Sequence, residues 1–122
     1  YEVYKAVLMD LGQQDRLGVL EAHVQHRGSV ESVEDLLESA GFEVLEIATS
    51  EFQMRFADGS SFLRHHFIRL GFVPGWKAIA ADGSLEATFG LLEQRLNAVA
   101  EKRGELAMTI PMACFEARKH GA

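Results

Sequence analysis

Few side chains in this 122-residue chain combine the type and spacing that chemistry needs, and the clearest of them are cations and imidazoles. Arg55, Arg64, His65 and Arg69 lie close together in an otherwise acidic sequence. Such a cluster suits an anionic substrate or cofactor group; the simpler reading is a solvated face balanced by Glu51 and Asp58. His65 and His66 are adjacent, so on a helix they diverge by about 100° and do not converge on one metal. His66 falls on an apolar stripe, where a hydrogen-bonded core imidazole is the default. His23 and His26 share a helix face, but without an H-E-x-x-H context they read as a solvated helix end. Cys114 alternates onto the apolar side of a strand, which predicts a buried, inert thiol, and the methionines share that core-facing periodicity. Val7 to Gly12 runs like the strand-to-helix opening of a nucleotide-binding loop. A phosphate cradle needs several close glycines, however, and after Gly12 the next is Gly18. Spacing alone assigns no catalytic and no metal-ligating residue.

The elements that position these groups are punctuated by glycine. A first helix runs over about 2–11 and closes at Gly12; a second starts near Asp15, carries Leu17, Leu20 and Val24 on one face, and ends at His26-Arg27-Gly28. Ser32 to Asp35 reads as a capping box for a third helix, with Val33, Leu36, Leu37 and Ala40 as its stripe. Gly41 then takes the C′ position and sets Leu37 against Phe42. After Phe42 the period changes to two. Val44 to Ala48 and Phe52 to Phe56 read as strands, the second stopped by Asp58-Gly59. Ser60 or Ser61 caps a helix carrying Phe62, Leu63, His66, Phe67 and Leu70, ended by Gly71. Val73-Pro74-Gly75-Trp76 reads as a turn with an aromatic anchor. The longest helix follows Asp82-Gly83-Ser84, with Leu85, Phe89, Leu92, Leu96 and Val99 on its stripe, and stops at Lys102-Arg103-Gly104. Leu106 to Glu116 is a final strand in which Pro111, lacking an N–H, marks an edge or a bulge. The pattern is α+β: about five helices with a small two- to three-stranded antiparallel sheet, read as a single domain over 1–122.

Composition bounds what such a domain does. Hydrophobic residues make up 48% of the chain, enough for a core, and twelve Lys+Arg against eighteen Asp+Glu leave a net charge of −6. That balance excludes a general nucleic-acid or anionic-membrane binder. A lone cysteine excludes a disulfide framework and a cysteine-based zinc cluster. No apolar run approaches the ~18 residues of a membrane span, so a cytoplasmic location is expected. Tyr1 opens directly on the apolar pattern Val3, Tyr4, Val7, Leu8, Leu11, which reads as a segment of a longer chain. A sheet of so few strands points the same way.

Three stretches occur in a fixed order: Ser32-Val33-Glu34-Asp35-Leu36-Leu37-Glu38-Ser39-Ala40-Gly41-Phe42, then Phe52 to Gly59 leading into Phe62-Leu63, then Leu106-Ala107-Met108-Thr109-Ile110-Pro111-Met112. Together, over 29–119, they resemble the C-terminal portion of class I S-adenosylmethionine-dependent methyltransferases. The resemblance implies an incomplete piece of an α/β fold: the last two strands of a mostly parallel sheet, with inserted helices walling the acceptor pocket and 1–28 as a helical lead-in. The family's glycine loop after its first strand and its ribose-holding acid after the second are absent. S-adenosylmethionine is therefore implied for a parent enzyme and not for this chain alone, which on this reading is not catalytically competent. Phe56, His65, His66, Arg69 and Trp76 are the candidates for shape and polarity determinants on the acceptor side, the acceptor itself being open between a small molecule and a macromolecule. The implied partner is the missing N-terminal half, or a second copy in a homodimer joined through open strand edges. From other classes, a non-enzymatic dimerisation or regulatory module and a small-ligand-binding α+β module fit the same residues.

Overall fold

The computed structural model describes residues 1–121. Among them the elements run α1 (Glu2–Asp10), a 3₁₀ turn (Gln14–Arg16), α2 (Leu17–Gln25), α3 (Val30–Ser39), β1 (Phe42–Phe56), α4 (Gly59–Arg64), α5 (His66–Gly71), α6 (Val73–Ile79), α7 (Leu85–Arg103) and β2 (Leu106–Lys119). The class is α+β, as the periodicities imply, with seven helices among the described residues rather than about five and one two-stranded antiparallel sheet.

Each difference has a local cause. The helix expected over Phe62 to Leu70 is broken at His65, whose extended backbone (φ −58°, ψ 131°) separates α4 from α5. The expected turn at Val73 to Trp76 is the start of α6. Pro74 sits in its first turn, where a missing N–H costs nothing because no carbonyl precedes it in the helix. The two expected strand runs are one, since the polar Thr49-Ser50-Glu51 stays extended between them. The third helix starts earlier than read: Ser29 is its N-cap, and Ser29 and Ser32 exchange side-chain bonds with each other's N–H at 2.8 and 3.1 Å. Its C-terminal end is as read, with Gly41 left-handed (φ +86°) at C′. Gly104 ends α7 in the same way (φ +83°).

The chain forms two compact units. The first takes Tyr1–His26 and Arg55–Ala107 and contains the hydrophobic core. In it α1 and α4 both pack on α7. Tyr4, Val7 and Leu8 turn one face of α1 inward, and Leu92 and Ala100 do the same for α7. Val7, Leu8, Ile68, Ile79 and Thr88 are sealed from solvent.

The second unit takes Arg27–Met54 and 108–121 and holds α3 with most of the ribbon. Its register is antiparallel. The His120 N–H donates to the Gly41 carbonyl at 2.8 Å, Arg118 pairs with Glu43, and the Gln53 amide donates to the Thr109 hydroxyl at 3.4 Å. None of its described residues is buried. Leu36, on the stripe of α3, is 68% exposed. Cys114 and Met112, expected inside, are likewise exposed, because alternation selects a face of a strand and nothing in this unit covers that face. Along β2 the partly covered positions are Leu106, Met108 and Ile110. The alternation lapses over Pro111 to Cys114 and resumes on Phe115 and Ala117, one residue out of phase.

Candidate functional site

The segment carrying most of the candidates is α4–α5–α6, and its two ends are anchored by side chains from elsewhere in the first unit. At the start of α4, Asp58 is the N-cap and its carboxylate accepts from the Ser61 N–H at 2.7 Å. That bond holds the Asp58 carboxyl below the usual carboxylate range, with the charge of Arg64 adding to it. Asn97, from α7, accepts from the next free donor, the Ser60 N–H, at 3.0 Å and donates to the Ser60 hydroxyl at 3.0 Å. Gly59 lets the two helices come this close: a Cβ there would lie 2.4 Å from that of Leu96.

At the other end, the last turn of α6 leaves carbonyls without helical partners. The Tyr4 hydroxyl donates to the Trp76 carbonyl at 2.7 Å. Arg16 forks its guanidinium onto two more, Ile79 at 2.7 Å and Ala78 at 2.9 Å. A cation at a helix C-terminus also meets the negative end of the dipole. Burial pushes the Tyr4 phenol up to about 12, against the opposing charge of Arg16. Beyond α6 the buried Gln13 ties the linker down, accepting from the Ala81 N–H at 3.0 Å and donating to the Thr88 hydroxyl at 3.2 Å. Ser84 completes that network on Thr88 at 3.2 Å.

Between these anchors lies a row of rings. Phe62 and Trp76 stack at 5.7 Å, and Phe72 meets Trp76 at the same distance. Phe56, at the end of β1, meets Phe62 edge-on at 5.1 Å and His65 at 5.5 Å; Phe67 meets Phe72 at 5.8 Å. Phe56, His65 and Trp76 are thus brought together, through Phe62. Trp76 itself is buried, so it supports the row from beneath. His66 and Arg69 stand apart from the rings, on the exposed side of α5. His66 is not the core imidazole its stripe suggested, because the break at His65 rotates α5 relative to the helix expected there.

The cationic cluster is balanced by other acids than its sequence neighbours. Arg55 pairs with Glu105 at 2.7 Å and Arg64 with Glu93 at 3.6 Å. The Glu105 carboxylate raises the Arg55 pKa. Arg69 has no ion pair among the described residues. From Gly59 to Ala81 the chain contains no Asp or Glu, although it has eighteen elsewhere.

Other candidates of the sequence fall away from this segment or into structural roles. Val7 to Asp10 is helical, not the strand of a nucleotide loop. His23 lies 3.4 Å from the Tyr1 hydroxyl and against Gly75, and among the described residues no three His, Cys, Asp or Glu side chains are placed to hold a metal. The left-handed glycines have open space about them, whereas Gly59 and Gly75 face protein atoms. A shallow open groove follows one side of α7 past Glu93, Asn97 and Glu101, and none of the five candidates lines it. Among the described residues no helix is long and apolar enough to cross a membrane.

Asn97, Gln13, Arg16 and Tyr4 were invisible as functional neighbours, because each reaches a partner tens of residues away and carries no local motif. The acid-free run from Gly59 to Ala81 is the sequence signal that marks this segment as unusual. Comparison of the chain with protein-family models, with curated proteins and with solved structures finds no match.

Proposed function

We propose that this chain is the C-terminal, acceptor-side portion of a cytoplasmic S-adenosylmethionine-dependent methyltransferase and is not catalytically competent alone. The observation that carries the reading is the second unit. Its helix is capped at both ends and its ribbon is in register, yet none of its described residues is buried. Apolar side chains such as Leu36, Leu45, Phe52 and Met112 stand exposed on elements that are otherwise well specified. Faces of this kind suit packing against further strands and helices, which a larger sheet with this ribbon at its edge would supply. The order helix, strand, inserted helices, antiparallel strand also agrees with the resemblance. In this reading α4–α6 wall the acceptor pocket, with Phe56 and His65 at its surface and Trp76 behind them.

The family's glycine loop and ribose-holding acid are not among these 122 residues, so in this reading the part played by the chain is positioning and exclusion of water around the acceptor. The test is calorimetry of S-adenosylmethionine against this chain and against the chain extended by its upstream coding region. The expected result is no binding by the 122 residues and micromolar binding by the extended protein. Micromolar affinity of the short chain, or an upstream region lacking a glycine-rich strand–loop–helix, sinks the reading.

One observation favours a second reading, a dimerising or regulatory module. Both strands are long, fifteen residues in β1 and fourteen in β2, and among the described residues each has one edge without a partner strand. Sedimentation separates the two readings: a concentration-dependent dimer of the extended protein that lacks cofactor binding supports the module.

A further inference from the structure

We infer that the exposed side of α5 selects an amphiphilic acid: a small molecule with an apolar or aromatic body and a carboxylate. This rests on the proposed methyltransferase reading, in which α5 walls the acceptor site.

The argument starts from the turn of the helix. Ile68 points into the core and is fully buried. At about 100° per residue, Arg69, His66, Leu70 and Phe67 follow one another around the opposite side, in that angular order. The Arg69 guanidinium and the His66 imidazole therefore adjoin two apolar side chains on one short surface. Leu70 is 68% and Phe67 56% exposed, and the contact with Phe72 holds the Phe67 ring in place. His65 presents its exposed imidazole beside this surface, braced on Phe56.

Charge decides the ligand's sign. Arg55 and Arg64 are engaged by Glu105 and Glu93, while Arg69 has no carboxylate partner among the described residues. The acid-free run from Gly59 to Ala81 leaves this surface cationic in a protein of net charge −6. A guanidinium free on a surface of this kind takes a carboxylate in a two-bond fork. Size decides against a macromolecule. Six residues present far less than the roughly 800 Å² per partner of a stable protein interface. An anionic bilayer would be repelled by the acids of the remaining surface.

The experiment uses the full chain, isotopically labelled, titrated with decanoate or with decyltrimethylammonium while backbone amide shifts are followed. Decanoate is expected to shift the amides of α5 saturably in the millimolar range, and the ammonium compound is not. Arg69→Gln is expected to weaken decanoate binding about tenfold, the worth of one charge-assisted contact. Phe67→Ser with Leu70→Ser is expected to abolish saturation, and both variants lie on the surface. Equal binding of the two amphiphiles, shifts centred on another element, an Arg69→Gln variant that binds normally, or no saturation in the millimolar range each overturn the inference. So does co-sedimentation with phosphatidylglycerol vesicles that Arg69→Gln removes, which would assign the face to a lipid surface. No methyl transfer is read, so a negative result leaves the methyltransferase reading standing, and failed cofactor binding by the extended protein leaves this measurement intact.

Discussion

Replacing Tyr4 by Phe removes one oxygen and gives opposite results in neutral and alkaline solution. In the native protein the hydroxyl donates to the Trp76 carbonyl at 2.7 Å, at the end of α6, and the residue is only 4% exposed. Without it that carbonyl loses its partner in a place water reaches poorly, which costs about 1–2 kcal/mol at neutral pH. The alkaline limb runs the other way. Burial raises the phenol from 10.0 to about 12, so the fold favours the neutral form. That contribution is fully present below pH 10 and is lost as the pH rises through 12, a change of roughly 3 kcal/mol. The variant has no such group. Its deficit at neutral pH is therefore expected to shrink above pH 10 and to become an advantage of up to about 1 kcal/mol near 12. Urea unfolding of both proteins over this range measures it, and other alkaline titrations common to the two cancel in the difference. Parallel stability curves up to pH 12 would refute the argument.

Two further expectations follow from packing and buried polarity. Gly59→Ala places a Cβ 2.4 Å from the Leu96 Cβ and 3.0 Å from the Asn97 backbone nitrogen, so it should destabilise by about 1–3 kcal/mol. Gly90→Ala, in open space on α7, should instead stabilise by about 0.5–1 kcal/mol, and thermal melts showing the same sign for both would contradict the account. Gln13→Leu strands the Ala81 N–H and one side of the Thr88 hydroxyl; urea unfolding should show a loss of about 1–3 kcal/mol, and Gln13→Leu should couple to Thr88→Val in a double-mutant cycle.

What the sequence disclosed and what it withheld divide along a physical line. Helix ends written in a few consecutive residues were legible: Gly41 and Gly104 take the left-handed conformation that their place after an apolar stripe requires. The α+β class followed from the change of period at Phe42. Breaks without a special residue were not legible. His65 carries no backbone constraint of its own, and it interrupts a stripe that reads as one helix. Pro74 reads as a turn residue yet lies in the first turn of α6, because the same ring that ends a helix also starts one. Burial was the least legible property. The alternation of Met112 and Cys114 states which side of a strand is apolar, whereas exposure depends on whether another element arrives. For the candidate site, residue types and their neighbourhood were visible at Arg64, His65 and Arg69. The acids that neutralise part of the cluster, Glu93 and Glu105, come from α7 and the turn after it.

The two sets of anchors on α4–α6 have a mechanical consequence. Asn97 and Asp58 fix where the segment begins, and Tyr4 with Arg16 fixes where it ends. A strip pinned at both ends cannot swing as a lid; it can only bow in the middle. That middle is α5, six residues bounded by the kinks at His65 and Phe72, with Ile68 as its buried side chain among the described residues. Local opening is therefore confined to one short helix, while the ring row beneath keeps its shape.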